Sequence, residues 1–152
     1  MKKIKVLIIS IIIPILVGVI GNLLGNADMG FDLVKKPSFN PPGIIFPIVW
    51  TILYILMGIS SYIVYTSDSK YKNSALRIYA LQLIVNMLWT FFFFNLKWYL
   101  FSFLWIILLI VLVIIMIYRF IKINKISGYI QIPYLLWLIF ASILIFSIFI
   151  LN

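Results

Sequence analysis

The residues of this chain equipped for recognition are aromatic rings and amides set at helical spacing. Phe46, Trp50, Tyr54, Met57 and Gly58 recur every three or four positions, as do Gln82, Asn86, Trp89 and Phe93, and later Pro133, Trp137, Ala141 and Leu144. On an α-helix each set shares one face. Indole and phenol rings stack on flat apolar molecules, while amides add hydrogen-bond donors and acceptors. The missing residue types narrow the chemistry further. With no cysteine and no histidine, disulfides, thiol catalysis, zinc sites and the usual haem axial ligand are excluded. The only acids are Asp28, Asp32 and Asp68, all in stretches that read as loops, so no carboxylate lies within the membrane to couple protons or cations to transport. Paired-carboxylate hydrolysis, a Ser-His-Asp triad and a phosphate-binding glycine loop have no residues to build them.

The elements that must position these groups are membrane spans. The chain is 66% hydrophobic and only 10% charged, well outside the range of soluble domains. At about 20 residues per span, 152 residues accommodate five helices with short connections. The apolar runs are Ile4 to Leu24, Ile44 to Tyr65, Ala75 to Leu96, Trp98 to Tyr118 and Tyr129 to Leu151. The expected fold is therefore an all-α integral membrane protein, a five-transmembrane-helix bundle forming one domain over residues 1–152. The cut at Lys97 is short, but an unbroken helix from Ile78 to Tyr118 would be twice the bilayer thickness, so a tight helical hairpin is expected there. Pro47 and Pro133 fall in first turns, where backbone N–H groups lack intrahelical partners, whereas Pro14 is mid-span and predicts a kink.

Charge sets the expected topology. Lys2, Lys3 and Lys5 ahead of an apolar run resemble a secretory signal, yet no small-x-small site follows and the run exceeds the usual h-region, so it reads as a retained first span. The N-terminus and the second and fourth loops hold nine of the twelve basic residues; the first and third loops hold three. Basic residues favour the cytoplasmic side, which puts the N-terminus in the cytoplasm and the first loop and C-terminus outside. The net charge of +9 is then accounted for by anionic lipid headgroups, with no call for nucleic acid. Abundant Ile, Lys and Asn point to an AT-rich bacterial source, and so to a bacterial cell membrane.

The first loop is distinctive. Lys36-Pro37-Ser38-Phe39-Asn40-Pro41-Pro42-Gly43 carries three prolines in six residues, which fix φ and push their neighbours toward extended geometry. A stiff loop over an aromatic helix reads as a lid. Elsewhere two accounts compete. Gln82 and Asn86 must face inward, because an unpaired amide in hydrocarbon costs several kcal/mol, but they fit both helix gluing and pocket lining. Trp50 and Trp137 lie at depths that suit a pocket or an interfacial belt, and Trp98 and Tyr99 suit the belt. Gly18, Gly21, Asn22 and Gly25 form a small-residue stripe explained by close helix packing.

The first loop and second span, the Gln82-x3-Asn86-x2-Trp89 run, and Pro133-Tyr134-Leu135-Leu136-Trp137-x2-Phe140-Ala141 through Leu151-Asn152 together resemble the tryptophan-rich sensory protein, or translocator protein, family, once called the peripheral benzodiazepine receptor. The likeness covers nearly the whole chain. It implies a five-helix bundle, commonly dimeric, whose pocket beneath the first loop accepts porphyrins, sterols or synthetic isoquinoline carboxamides, with no resident cofactor or metal. Carried over position by position, it implies a pocket of Phe31, Pro41, Phe46, Trp50, Tyr54, Asn86, Trp89, Trp137, Ala141 and Leu144. Some members are linked to light- or oxygen-dependent porphyrin breakdown, which would give Trp50 and Trp137 a redox role; a scaffold or lipid-transporting role is a further alternative. Three departures stand out. Gly30 replaces a Trp of the first loop while Phe31 keeps a ring without a hydroxyl, an acidic residue of the fourth span is missing near Trp105, and Ile145 stands where an Asn often follows Leu144. A C-terminal sterol motif is absent, and a looser pattern through Val113, Tyr118 and Lys122 is generic.

Overall fold

A backbone crossing hydrocarbon must satisfy its own hydrogen bonds, and without strands to pair it does so as helix. The computed structural model describes residues 2–25 and 34–152. Its helices are α1 (Lys2–Gly25), α2 (Ile45–Tyr65), α3 (Lys72–Thr90), α4 (Tyr99–Ile123), α5 (Lys125–Tyr129) and α6 (Ile132–Leu151), and no strand occurs among the described residues. Among the described residues, five spans are long and apolar enough to cross a bilayer: α1, α2, α3 with its continuation to Asn95, α4, and α5 with α6. α1 runs on as helix through the buried Pro14, and a proline occupies the first turn of α2 and of α6.

The hairpin expected at Lys97 is present, with two features the residue pattern does not announce. α3 ends in a π-helical turn, Phe91–Asn95, in which Leu96 N donates to Phe91 O at 3.1 Å. Lys97 then takes a left-handed backbone, φ 55°, which reverses the chain in a few residues. Asn95 ties the turn to the end of α1, its Nδ2 donating to Leu24 O at 3.1 Å.

The boundary expected at Tyr118 is overrun. α4 continues through Arg119 and Lys122 to Ile123. Long basic side chains can keep their heads at the interface while the backbone stays helical. Lys122 lays its ammonium over the Tyr118 ring, 4.5 Å from the centroid, and Arg119 turns to the Ser74 hydroxyl at 3.1 Å. The expected fourth loop is accordingly reduced to Asn124, an extended residue whose Oδ1 accepts from Ile126 N and Ser127 N and so starts α5. At the other connection α3 begins at Lys72, ahead of the expected Ala75.

α1 packs against both α2 and α3, α3 against α4, and α4 against α6. α5 closes the ring at one end by touching α4 and α2, where the Ser60 hydroxyl donates to Ser127 O at 2.6 Å. The α1–α2 contact depends on Gly58, since a Cβ there would lie 2.5 Å from Ile11 Cα. Toward the α5 end the interior is solid: Met57, Val64, Ala75, Val113, Met116 and Phe120 have no exposed surface. Toward the first-loop end the ring is open in the middle, because α2 and α6 meet through side chains with little close backbone contact.

Candidate functional site

The opening between α2 and α6 is a cavity of about 760 Å³, within the range of small-molecule sites. Its wall on α2 is the Phe46, Trp50, Tyr54 face, one residue per turn. α3 contributes Asn86, Trp89 and Phe93, and α6 contributes Trp137, Ala141 and Leu144. Of the ten residues the family likeness implies, eight therefore line this one cavity: Phe46, Trp50, Tyr54, Asn86, Trp89, Trp137, Ala141 and Leu144. Pro41 sits half-buried in the first loop and is not part of the wall, and Phe31 lies outside the described residues.

The rings form a connected wall. Trp50 stacks on Tyr54 with centroids 5.5 Å apart and meets Tyr134 edge-on at 6.2 Å. Phe46 meets Trp137 edge-on at 5.9 Å, which carries the wall across from α2 to α6. On α3, Trp89 stacks on Phe93 at 5.2 Å. These are favourable aromatic geometries, so the wall is ordered before anything enters it.

Hydrogen bonds fix the floor. Tyr54 OH donates to Asn86 Oδ1 at 3.4 Å, Asn86 Nδ2 donates to Tyr134 OH at 2.7 Å, and Tyr134 OH donates to Gln82 Oε1 at 2.7 Å. Gln82 and Asn86 both face inward as their polarity requires, with different jobs: Asn86 borders the cavity, whereas Gln82, with no exposed surface, fastens α3 to α6 through Tyr134. Trp105, where the expected acidic residue is missing, donates its indole N–H to Val85 O at 2.8 Å. The indole N–H groups of Trp89 and Trp137 have no acceptor among the described residues, and both rings border the cavity. Among the described residues, no charged side chain lines the cavity.

The first loop runs along the second half of α6. Lys35 N donates to Asn152 Oδ1 at 3.2 Å and Asn152 Nδ2 returns a bond to Lys35 O at 2.9 Å, while Phe39 packs edge-on to Phe140 at 6.3 Å. The loop is thus anchored at the far end of α6 and at its middle.

Several positions differ from their stripe. Met57 is wholly buried in the solid half and Gly58 packs on α1, so neither borders the cavity. The small-residue stripe of α1 packs closely, with a Cβ at Gly18 falling 2.4 Å from Tyr54 Cε2, but Gly18 and Asn22 also form part of the cavity wall. Ile106 and Leu109 of α4 complete it. Asn22, a lone amide in an otherwise apolar run, was the one sequence signal for the α1 wall; Ile106 and Leu109 had none.

Fold and site together define a multi-pass membrane protein with an aromatic-walled hollow between its helices. Comparison with known sequences gives the family. The sequence model of the TspO/MBR family matches residues 10–151. The chain is 34% identical over 155 residues to "Tryptophan-rich protein TspO" of Chlorobaculum tepidum, covering 99% of this chain and 98% of that protein. It is 36% identical to "Protein CrtK" of Rhodobacter capsulatus, covering 80% and 78%, and 27% identical to "Translocator protein" of Sus scrofa, covering 81% and 75%. The chain belongs to the TspO/MBR family.

Proposed function

We propose that this protein binds a flat hydrophobic ligand, a free-base porphyrin such as protoporphyrin, in the hollow beneath the first loop, and that binding serves sensing or transport of that ligand. The observation that carries this reading is the ring wall of Phe46, Trp50, Tyr54, Trp89 and Trp137 around a cavity of about 760 Å³ with no charge among its described lining residues. Each favourable ring contact adds roughly 0.5–1.5 kcal/mol beyond area burial, which is enough for micromolar binding when several act together. The indole N–H groups of Trp89 and Trp137, without an acceptor among the described residues, offer donors to ring nitrogens or carbonyls, and the first loop carries two lysines, Lys35 and Lys36, on the side from which propionates would enter. The names of two relatives, "Tryptophan-rich sensory protein" of Cereibacter sphaeroides and "Translocator protein" of Sus scrofa, are compatible with either outcome. The basic-residue count puts the N-terminus in the cytoplasm and the hollow toward the outer face. Lipid and a second copy of this chain are the partners that fit, and light scattering in detergent reads the dimer.

The test compares free-base protoporphyrin with its iron complex by quenching of tryptophan fluorescence in lipid nanodiscs. Without histidine or cysteine to ligate iron, the two bind with dissociation constants within about threefold, a difference of less than 1 kcal/mol. Strong selectivity for the iron complex overturns the reading.

A second reading has its own observation. Trp50 is in ring contact with both Tyr54 and Tyr134, so an indole that gives an electron to a photoexcited porphyrin has phenols beside it to refill the hole. Dioxygen would be the oxidant, both its atoms ending in a ring-opened tetrapyrrole, and the borrowed electron would return to the tyrosine radical as that product forms. Under light the bound pigment then bleaches faster than in detergent, and Phe at Trp50 and Trp137 slows it. Equal bleaching rates assign the chemistry to the pigment alone.

A further inference from the structure

The chain has two glutamines, Gln82 and Gln131, and neither has any exposed surface. Gln82 uses its Oε1 to accept from Tyr134 OH, and among the described residues neither its Nε2 nor the Nε2 and Oε1 of Gln131 have a hydrogen-bond partner. An amide left unsatisfied at membrane depth carries a heavy desolvation penalty, so these atoms call for something that hydrogen-bonds to them.

Topology places them on neighbouring levels, about one helical turn apart. Tyr134 of α6 is bonded to Gln82 of α3, and both helices run toward the first-loop end. One turn back along each toward the α5 end stand Tyr79 on α3 and Gln131 just before α6, on the same inward faces. The Tyr79 hydroxyl sits beside the Ser61 hydroxyl of α2 without closing a well-formed bond to it. The layer beneath the Tyr134–Gln82 bond therefore gathers donors and acceptors from α2, α3 and α6 in the interior of the bundle. A buried water is held by two to four such groups.

We propose that this layer binds internal water, shared between Gln82 Nε2, the Gln131 amide and the Tyr79 hydroxyl, so that the polar chain Tyr54, Asn86, Tyr134, Gln82 extends from the cavity floor as a hydrated seam. The inference does not depend on which ligand occupies the cavity. The seam gives the floor residues a polar backing: Tyr134, which orients Asn86, is held in turn by an amide whose free end is solvated.

Because the chain has only these two glutamines, labelling their side-chain nitrogens yields two amide signals. Water-edited solid-state NMR on the full-length protein in lipid bilayers, without added ligand, reads whether each receives magnetisation from water. Both signals are expected to build up, and Gln131→Met is expected to reduce the build-up at Gln82 by at least half. If Gln131→Met does not fold, Tyr79→Phe tests the same sharing. Silence at both side chains while loop amides respond overturns the proposal. So does a direct amide contact between Gln82 and Gln131, or water at Gln82 that is unchanged in the variant that folds.

Discussion

The two ends of this bundle are built from different apolar residues and do different things. Near α5 the helices are filled by Met57, Val64, Val113, Met116 and Phe120, all without exposed surface. Toward the first loop α2 and α6 meet ring to ring, Trp50 on Tyr134 and Phe46 on Trp137, both edge to face, and a cavity of about 760 Å³ opens beside Phe46, Trp50 and Trp137. Flexible aliphatic side chains collapse into any space offered, whereas rigid rings braced against each other span it. The difference teaches that one half keeps the fold and the other keeps a vacancy, so substitutions in the two halves should separate stability from ligand affinity.

The largest effect belongs to the solid half. Gly58→Leu drives a side chain into Ile11 Cα, which backbone cannot yield, and should cost about 3 kcal/mol or more, read as a collapsed melting temperature in detergent. Met116→Ala leaves a void where no surface was exposed and should cost about 2–5 kcal/mol in the same assay, with porphyrin affinity of the surviving folded fraction unchanged. Gly18→Ala is the contrasting case in the open half. The three atoms nearest its Cβ all belong to the Tyr54 side chain, which borders the cavity, rather than to backbone. The variant should fold with a small loss of stability, yet bind more weakly by a factor of about ten, worth 1.4 kcal/mol. Equal losses of stability in Gly18→Ala and Gly58→Leu would remove the distinction between the halves. The smallest effect is at the loop anchor: Asn152→Ala deletes both bonds to Lys35 and should cost about 1 kcal/mol, showing mainly as faster ligand release in stopped-flow fluorescence.

Much of this was legible in the sequence because membrane depth punishes mistakes of placement. Spans follow from apolar length, and Gln82 and Asn86 had to point inward. The stripe of Phe46, Trp50 and Tyr54 needed only the helical period. What escaped is tertiary. The period could not separate Trp50, which borders the cavity, from Met57 and Gly58 seven and eight residues on, because the cavity ends partway down the bundle. Nor could it say that Gln82 would spend its carbonyl on Tyr134 while Asn86, one turn away, reached the cavity. Tyr134 itself, bonded to both amides, shows its role only once α3 and α6 are side by side. The helical run from Arg119 to Ile123 was hidden by its charges, which solvate themselves at the interface without ending the helix.

The most direct test of the ring-walled hollow as the ligand site is equilibrium binding of free-base protoporphyrin to the wild type and to Trp50→Ala with Trp137→Ala, both in nanodiscs and both checked for an unchanged helical spectrum. Followed by the porphyrin's own absorbance, affinity should fall by at least tenfold in the double variant. Binding as tight as the wild type, in a folded protein lacking both indoles, would contradict the account.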